Sequence, residues 1–521
     1  MRTRRRRPKA TGASSSARTS PAAVTRESAL RQIQKTAGGQ MKRLALGGGL
    51  ALLLAIACVR NPATGKNELM LVSESQEIQM GAQYDSEVVT SIGLYPDPAL
   101  QSYVADLGKK LAATSERPNL PWTFRVVDDP SVNAFAIPGG HVYVTRGILA
   151  HISNEAELAT VMGHEIGHVT ARHTAHEMSK QELAQLGLAV GSIASAQVAQ
   201  YAGLAGQALQ VLFLKFSRDD ETQADALGVR YSSRANYDSR QMINVMQMLD
   251  QLESQSGGKL PEWLATHPNP GNRIEHINSV LAQTKTDFGN ATVNTQGYER
   301  RLDGMIFGMN PREGFFKGTE FYHPDLKFHM SFPSDWQTAN SKQSVAAQSP
   351  KQEAVIELTL AEGSSNAEQA ARSFLSRQGV QAGSPTRDNV NGLPASTAPF
   401  AAATQNGTVR GQALFVEYGN TVYRLLGYGP EPTWSNHQAV VQRSLTSFGP
   451  LNDPSILNVQ PQHLSLFTLD RRTTITELAR QRPSPVPMAT LALINQVSEN
   501  EMLEPGRIVK WVVGQRLPAT P

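Results

Sequence analysis

The 521-residue chain is too long for one ordinary domain, and its 40% hydrophobic and 18% charged residues exclude a disordered or fibrous protein. Its net charge of +4 is confined to one end: residues 1–43 hold twelve Lys and Arg against the single acid Glu27, and the remainder, with 37 basic and 44 acidic residues, carries −7. An acidic body with one basic tail argues against nucleic acid as a partner.

Lys42 and Arg43 precede the apolar run Leu44–Ala57, which ends in small residues and reads as an export leader over 41–57. Such a run suits a leader core of about 7–15 residues and falls short of the about 20 that a membrane span needs. Met41 stands where a leader normally begins, so residues 1–40 are expected to be a disordered or non-native extension. Cys58 is the only cysteine, which leaves no partner for an intramolecular disulfide. It follows the apolar run where a bacterial lipoprotein is cleaved and acylated, and Ala55-Ile56-Ala57-Cys58 differs in lacking Leu three residues before the cysteine. Lipidation is expected, with an uncleaved anchor or ordinary leader cleavage as alternatives.

Residues 58–72 read as a linker, turn-rich over Asn61–Lys66. Ser73-x-x-Gln76 is a capping box opening a helix toward Val89; a second helix is predicted over Ala99–Ala113 and a strand over Trp122–Val127. Asn133–Thr145 reads as a hairpin pivoting on Pro138-Gly139-Gly140, and Asn154-x-x-Glu157 as a capping box whose helix runs to about Glu177. Leu183–Leu214 has no formal charge over 32 residues, yet five glutamines and four glycines interrupt it. Buried Gln is costly unless paired, so a helical hairpin, part core and part apolar rim over the site, is predicted there, with shallow membrane contact as the alternative. Further helices are predicted over Asp219–Tyr231 and Arg240–Leu252.

His164-Glu165-Ile166-Gly167-His168 sits inside the helix capped by Asn154. Residues four apart lie about 40° apart around a helix, so both imidazoles can reach one ion while Glu165 stays close enough to touch water beside it. A catalytic zinc needs a third protein ligand and an open position. Glu221-Thr-Gln-Ala-Asp225 offers a glutamate ligand and, one turn on, an aspartate able to take a ligand histidine's free N–H. His141, His151, His173 and His176 lack such spacing and read as structural or surface residues.

Several motifs together resemble the HtpX-like and BepA-like bacterial zinc peptidases and their Oma-type mitochondrial and CAAX-processing relatives. They are Asn133-Ala134-Phe135-Ala136 with the following Pro-Gly-Gly, Glu157-Leu-Ala before His164-Glu-Ile-Gly-His-Val, Ser217-Arg-Asp-Asp-Glu221-x-x-Ala-Asp225, and Thr266-His267-Pro268 with Arg273 beyond. The resemblance implies one Zn2+ per chain held by His164, His168 and Glu221, with Glu165 as general base and Asp225 behind a ligand. It further implies that His267 and Arg273 lie over the metal, His267 either stabilising an oxyanion or blocking the site. The hairpin edge at Asn133–Ala136 would pair with an extended substrate.

After about residue 296 short alternating runs such as Val355–Leu360 and Leu414–Tyr418, with helical stretches at Ala367–Arg377 and His437–Leu445, predict an antiparallel α+β domain over 297–455. Residues 456–521 resemble a βααβ LysM module, although Arg471-Arg472 replaces the usual Gly-Asp turn. The expected whole is an α+β protein with a mainly helical peptidase domain at 73–296. It would act in the periplasm, anchored by lipid to a membrane, the outer one expected, on misfolded or unassembled envelope proteins, with peptidoglycan as a further contact. The alternative is a latent protease serving as a chaperone, scaffold or cell-wall-binding lipoprotein.

Overall fold

The computed structural model describes residues 58–185, 214–255, 262–267, 272–284, 286–361, 363–404 and 407–516. The extension at 1–40, the leader at 41–57 and nearly all of the apolar run Leu183–Leu214 lie outside the described residues. Two units are present. The described part of the first holds an antiparallel strand pair, β1 (Cys58–Arg60) with β2 (Asn67–Leu69), and the Cys58 side chain is not among what is described. The second comprises Asn61–Lys66 and everything from Leu71 onward. Helix and strand are mixed as predicted, and among the described residues no helix is long and apolar enough to cross a membrane.

In the second unit, local chemistry starts the helices where the sequence signals them. Ser73 and Gln76 complete a reciprocal capping box at the head of α1 (Glu74–Ser91). Asp97 accepts from the backbone N–H groups of Ala99 and Leu100 ahead of α2 (Pro98–Ala112), whose Leu100, Val104, Leu107 and Leu111 form one buried stripe. A small sheet follows, β3 (Thr123–Val127), β4 (Ala134–Ile137) and β5 (His141–Thr145), in the order β3-β5-β4. The β4–β5 hairpin pairs Phe135 with Tyr143, and its turn needs Gly139 and Gly140 because both take positive φ (87° and 101°). That order leaves β4 at an edge of the sheet.

Helix α3 (Arg146–His151) leads to α4 (Glu155–Thr170), buried along its length from Ala156 onward. The single helix expected to reach Glu177 is instead two. Arg172 adopts φ 59°, a left-handed conformation that ends α4, and α5 (His173–Gln185) starts in a new direction. Arg172 is tied down there by donating to the Glu77 carboxylate and to the Val72 carbonyl. Helices α6 (Arg218–Arg234), α7 (Gln241–Gln255), α8 (Glu262–Thr266) and α9 (Arg273–Gln283) complete this part.

Helices α4 and α6 cross with small residues at the contact. A Cβ placed on Gly163 or Gly228 would lie 3.0 Å from the facing backbone, at Gly228 O and His164 N respectively, and one on Gly167 would lie 3.1 Å from Leu227 Cβ. Their missing side chains let the two backbones approach closely, which sets the reach of every side chain between them.

An eight-stranded antiparallel sheet dominates the next segment, in the order Gln337–Asn340, Ser344–Gln348, Val355–Leu360, Thr421–Pro430, Gly407–Tyr418, Leu393–Thr404, the last also pairing with Val380–Ala382 and Thr386–Val390. Alternation along its strands separates two clusters: Leu414 and Val416 pack with helix Trp434–Leu445, Ala413 and Phe415 with helix Ala367–Leu375. Residues 462–513 run strand, helix, helix, strand, with Gln462–Thr468 and Ile508–Val513 antiparallel. They build no separate core. Leu464, Ile475, Leu493 and Trp511 belong to the same cluster as Ile148, Ala156 and Leu158, and Gln462 and His463 also pair with Ile306–Phe307.

Candidate metal centre

Asn154 starts α4 by accepting from the Glu157 N–H, but the reciprocal half of the expected capping box is not made. The Glu157 carboxylate accepts from Ser153 N–H, Asn154 Nδ2 and Gln496 Nε2 instead. Two turns on, His164 and His168 project toward α6. Ser217 and Asp220 form a capping box that starts α6, so Glu221 lies in its first turn and Asp225 one turn later on the same face.

His164, His168, Glu221 and His267 bring four buried donor atoms within 4.8 Å of one another. His164 Nε2 lies 3.0 Å from His168 Nε2 and 3.6 Å from Glu221 Oε2; His267 Nδ1 lies 2.9 Å from Glu221 Oε1 and 3.4 Å from His164 Nε2. Glu165 turns to the other side of this cluster. Its Oε1 accepts from Trp263 Nε1 at 3.2 Å and lies 3.8 Å from His267 Nε2. Asp225 Oδ1 accepts from His164 Nδ1 at 3.0 Å.

The donor set fits a cation. An ionised Asp225 can only accept, so a neutral His164 carries its proton on Nδ1 and points a lone pair from Nε2 into the cluster. Glu221 adds a carboxylate whose Oε2 is buried without a hydrogen-bond partner among the described residues. Facing imidazole lone pairs in a dry pocket repel one another unless a proton or a cation joins them, and two imidazoles with one carboxylate are the ligand types zinc prefers.

Electrostatics follow the packing. Burial pushes the Glu165 carboxyl up, and His267, His164 and the Trp263 hydrogen bond do not cancel that push. At Glu221 burial also pushes up, but His267, His164 and Arg273 outweigh it and hold the carboxyl below its ordinary range. Asp225 feels the same burial, overcome by Arg273 and His164, and its carboxyl falls to about 2. Burial lowers His168 strongly, reinforced by the neighbouring His164, His173, His267 and Arg273, which keeps it neutral and able to ligate.

Arg273 comes to the same centre. Its guanidinium forks onto Asp225, Nε to Oδ2 at 2.8 Å and Nη2 to Oδ1 at 2.6 Å, with Nη1 3.4 Å from Glu221 Oε2. It therefore braces both carboxylates. Asn133, Ala134, Phe135 and Ala136 lie at and along β4, which packs beside α4. Three residues at the centre were not singled out from the sequence. Trp263 stacks on His267 (ring centroids 4.9 Å apart) and lies under Arg273, and Phe216 lies 4.1 Å from the His168 ring. His173, read as structural or surface, is buried with Nδ1 2.9 Å from His168 Nδ1. Trp263 stands four residues before His267, a spacing that signals a shared helical face.

Residues 98–281 match the model of peptidase family M48. The chain is 33% identical over 256 residues to a beta-barrel assembly-enhancing protease of Yersinia pestis, covering 47% of this chain and 52% of that one, and 32% identical over 253 residues to its counterpart in Escherichia coli K12, covering 45% and 51%. It is also 31% identical over 248 residues to the mitochondrial metalloendopeptidase OMA1 of Schizosaccharomyces pombe, covering 46% of this chain and 71% of that one. The chain thus spans about half the length of the bacterial relatives it matches.

Proposed function

This chain belongs to peptidase family M48, and on that footing we propose that it is a zinc-dependent endopeptidase acting on misfolded or unassembled proteins of the cell envelope. One observation carries the reading: His164, His168 and Glu221 converge as a ligand set, with the Glu165 carboxylate buried beside them. When bound, zinc supplies Lewis acidity that makes a water nucleophilic near neutral pH and polarises a carbonyl. Glu165 takes the proton of the attacking water and returns it to the leaving amine, a role suited to a carboxyl whose proton affinity burial has raised. Trp263 orients this carboxylate by donating to its Oε1. His164, His168 and Glu221 would hold the ion, and Asp225 and Arg273 hold the ligands in place.

Substrate enters as an extended segment along β4. Among the described residues that strand has β5 alone as a sheet neighbour, and Asn133 Oδ1 is buried with no hydrogen-bond partner, an acceptor available to a peptide N–H. Envelope substrates are supported by the bacterial relatives, named as beta-barrel assembly-enhancing proteases. A lipid at Cys58 and a peptidoglycan contact by residues 456–521 rest on sequence pattern, supported in the second case by the strand-helix-helix-strand order. Radiolabelled palmitate incorporation and sedimentation with peptidoglycan test them.

One observation favours latency in the resting chain. His267 Nδ1 sits among the other three donors, where a catalytic site would keep a position open for water. Displacing α8 would free that position and leave His267 close enough to donate to an oxyanion. The proposal as a whole is tested by comparing the purified chain with Glu165→Gln for zinc content and casein cleavage. The variant keeps its zinc and loses about 10²–10⁴-fold in rate; equal activity in both removes Glu165 from the mechanism.

A further inference from the structure

We propose that His173 is the positioning residue of the His168 ligand, fixing its proton on Nδ1 so that Nε2 presents a lone pair to the metal, and that Gln223 and Asp220 in turn fix the tautomer of His173. The inference rests on the metal reading of the centre. His164 has an anionic partner, Asp225, behind it. His168 has no carboxylate at its Nδ1; it has another imidazole, with the two Nδ1 atoms 2.9 Å apart.

Two ring nitrogens at that distance share one proton, so one donates and the other accepts. The far side of His173 decides which. Its Nε2 lies 3.0 Å from Gln223 Oε1 and 3.6 Å from Asp220 Oδ1. The Gln223 oxygen accepts at that distance, and the negative Asp220 carboxylate, beyond hydrogen-bond reach but fixed in sign whichever way an amide is turned, favours a proton on the same nitrogen. Nε2 of His173 therefore carries the proton, its Nδ1 accepts, and His168 Nδ1 donates. The proton order from Gln223 and Asp220 through His173 to His168 leaves His168 Nε2 unprotonated and aimed at Glu221, 3.6 Å away.

The backbone makes this contact possible. Residues five apart on an unbroken helix point about 140° away from each other. The left-handed Arg172 interrupts the helix between His168 and His173 and brings His173 back against the last turn of α4. Asp220 is placed by its other oxygen, which accepts from the Ser217 hydroxyl and N–H at the head of α6, three positions from Gln223 in the same helix that supplies Glu221. Both ligand histidines are thus oriented from α6, His164 directly through Asp225 and His168 through the His173 ring.

The test is zinc affinity of the full chain, read by competition with a chromophoric chelator, alongside thermal melts of the metal-free protein. His173→Phe keeps a flat ring and removes the acceptor; its zinc affinity falls about 10–100-fold, the usual loss when a ligand's outer partner is removed. His173→Asn offers an amide oxygen to His168 Nδ1–H and regains most of that loss, a rescue that simple packing would not produce. Gln223→Leu, exposed to less risk of misfolding, weakens zinc several-fold and serves should His173→Phe fail to fold. Wild-type affinity in His173→Phe, or equal loss in His173→Asn, overturns the relay while leaving the metal centre intact. A wild-type chain that binds no zinc overturns both.

Discussion

Lys510, on the last strand, donates to the backbone carbonyls of Ala150 and Ile152 at 2.9 and 2.7 Å, reaching back 360 and 358 residues to the segment that leads into the ligand-bearing helix. The lysine is fully buried, and burial holds its amine down at about 8 against the upward pull of Glu299 and Glu157. Gln496 adds a bond from the same terminal segment to Glu157 at the start of α4. The C-terminal residues therefore finish the peptidase core and satisfy polar groups that would otherwise be stranded there. Lys510→Met removes three N–H donors and leaves two carbonyls and two acids without their cation. It should destabilise the chain by about 2–4 kcal/mol in urea unfolding at pH 7, and ending the chain at residue 455 should leave the peptidase part unable to fold. A truncated chain with the wild-type unfolding midpoint would contradict this.

A second prediction concerns the approach of α4 to α6. Gly228 faces the backbone at His164, with room for no side chain beyond a Cβ already at 3.0 Å. Gly228→Val forces the helices apart at the level of the ligands, so the carboxylate of Glu221 and the imidazole of His164 no longer converge. Expected are a stability loss of about 1–3 kcal/mol and a fall in zinc affinity of about tenfold or more. Isothermal titration with zinc checks it; a loss of stability with unchanged affinity would show that the centre adjusts independently of the crossing.

These two cases mark where reading the sequence stops. Local signals were legible because their causes are local: the Ser73 and Ser217 caps, the Pro138-Gly139-Gly140 turn and the four-residue spacings at His164 and Glu221 each depend on neighbours a turn away. Lys510 looks like any surface lysine in a strand, and only its docking on Ala150 makes it a core residue. His173 was unreadable because its position depends on Arg172 leaving the helical region, a conformation that no Gly or Asn signals. Arg273 was placed by resemblance over the metal; that it forks onto Asp225 follows from α9 meeting α6, a tertiary contact with no sequence pattern of its own.

A pH prediction follows from Asp225 in chelator-treated protein. Its folded carboxyl, at about 2, lies below the ordinary aspartate value of about 3.9, so the folded state binds the proton less tightly than the unfolded chain does. The stability this contributes is fully present above about pH 4 and is lost as pH falls through 2, amounting to about 2 kcal/mol. Asp225→Asn lacks this acid limb and, by leaving Arg273 buried without its fork, starts about 3–5 kcal/mol lower at pH 7. Urea midpoints at pH 7, 4 and 2.5 for both proteins check the slope, and parallel slopes would assign the acid sensitivity elsewhere.

The last prediction separates the two roles open to His267. Its imidazole is fully buried, stacked on Trp263, with Nδ1 2.9 Å from Glu221 Oε1. On the latency reading, a group so placed would take the position that water needs. Its removal should open the centre: His267→Ala is expected to raise basal cleavage of unfolded casein several-fold while weakening zinc, since one donor of four is gone. Were oxyanion stabilisation its dominant contribution, the same variant would instead lose about 10²–10³-fold in rate with its zinc largely retained. Casein hydrolysis and zinc affinity measured on one preparation distinguish these outcomes, because latency predicts opposite signs for the two readouts and transition-state stabilisation predicts a fall in rate alone.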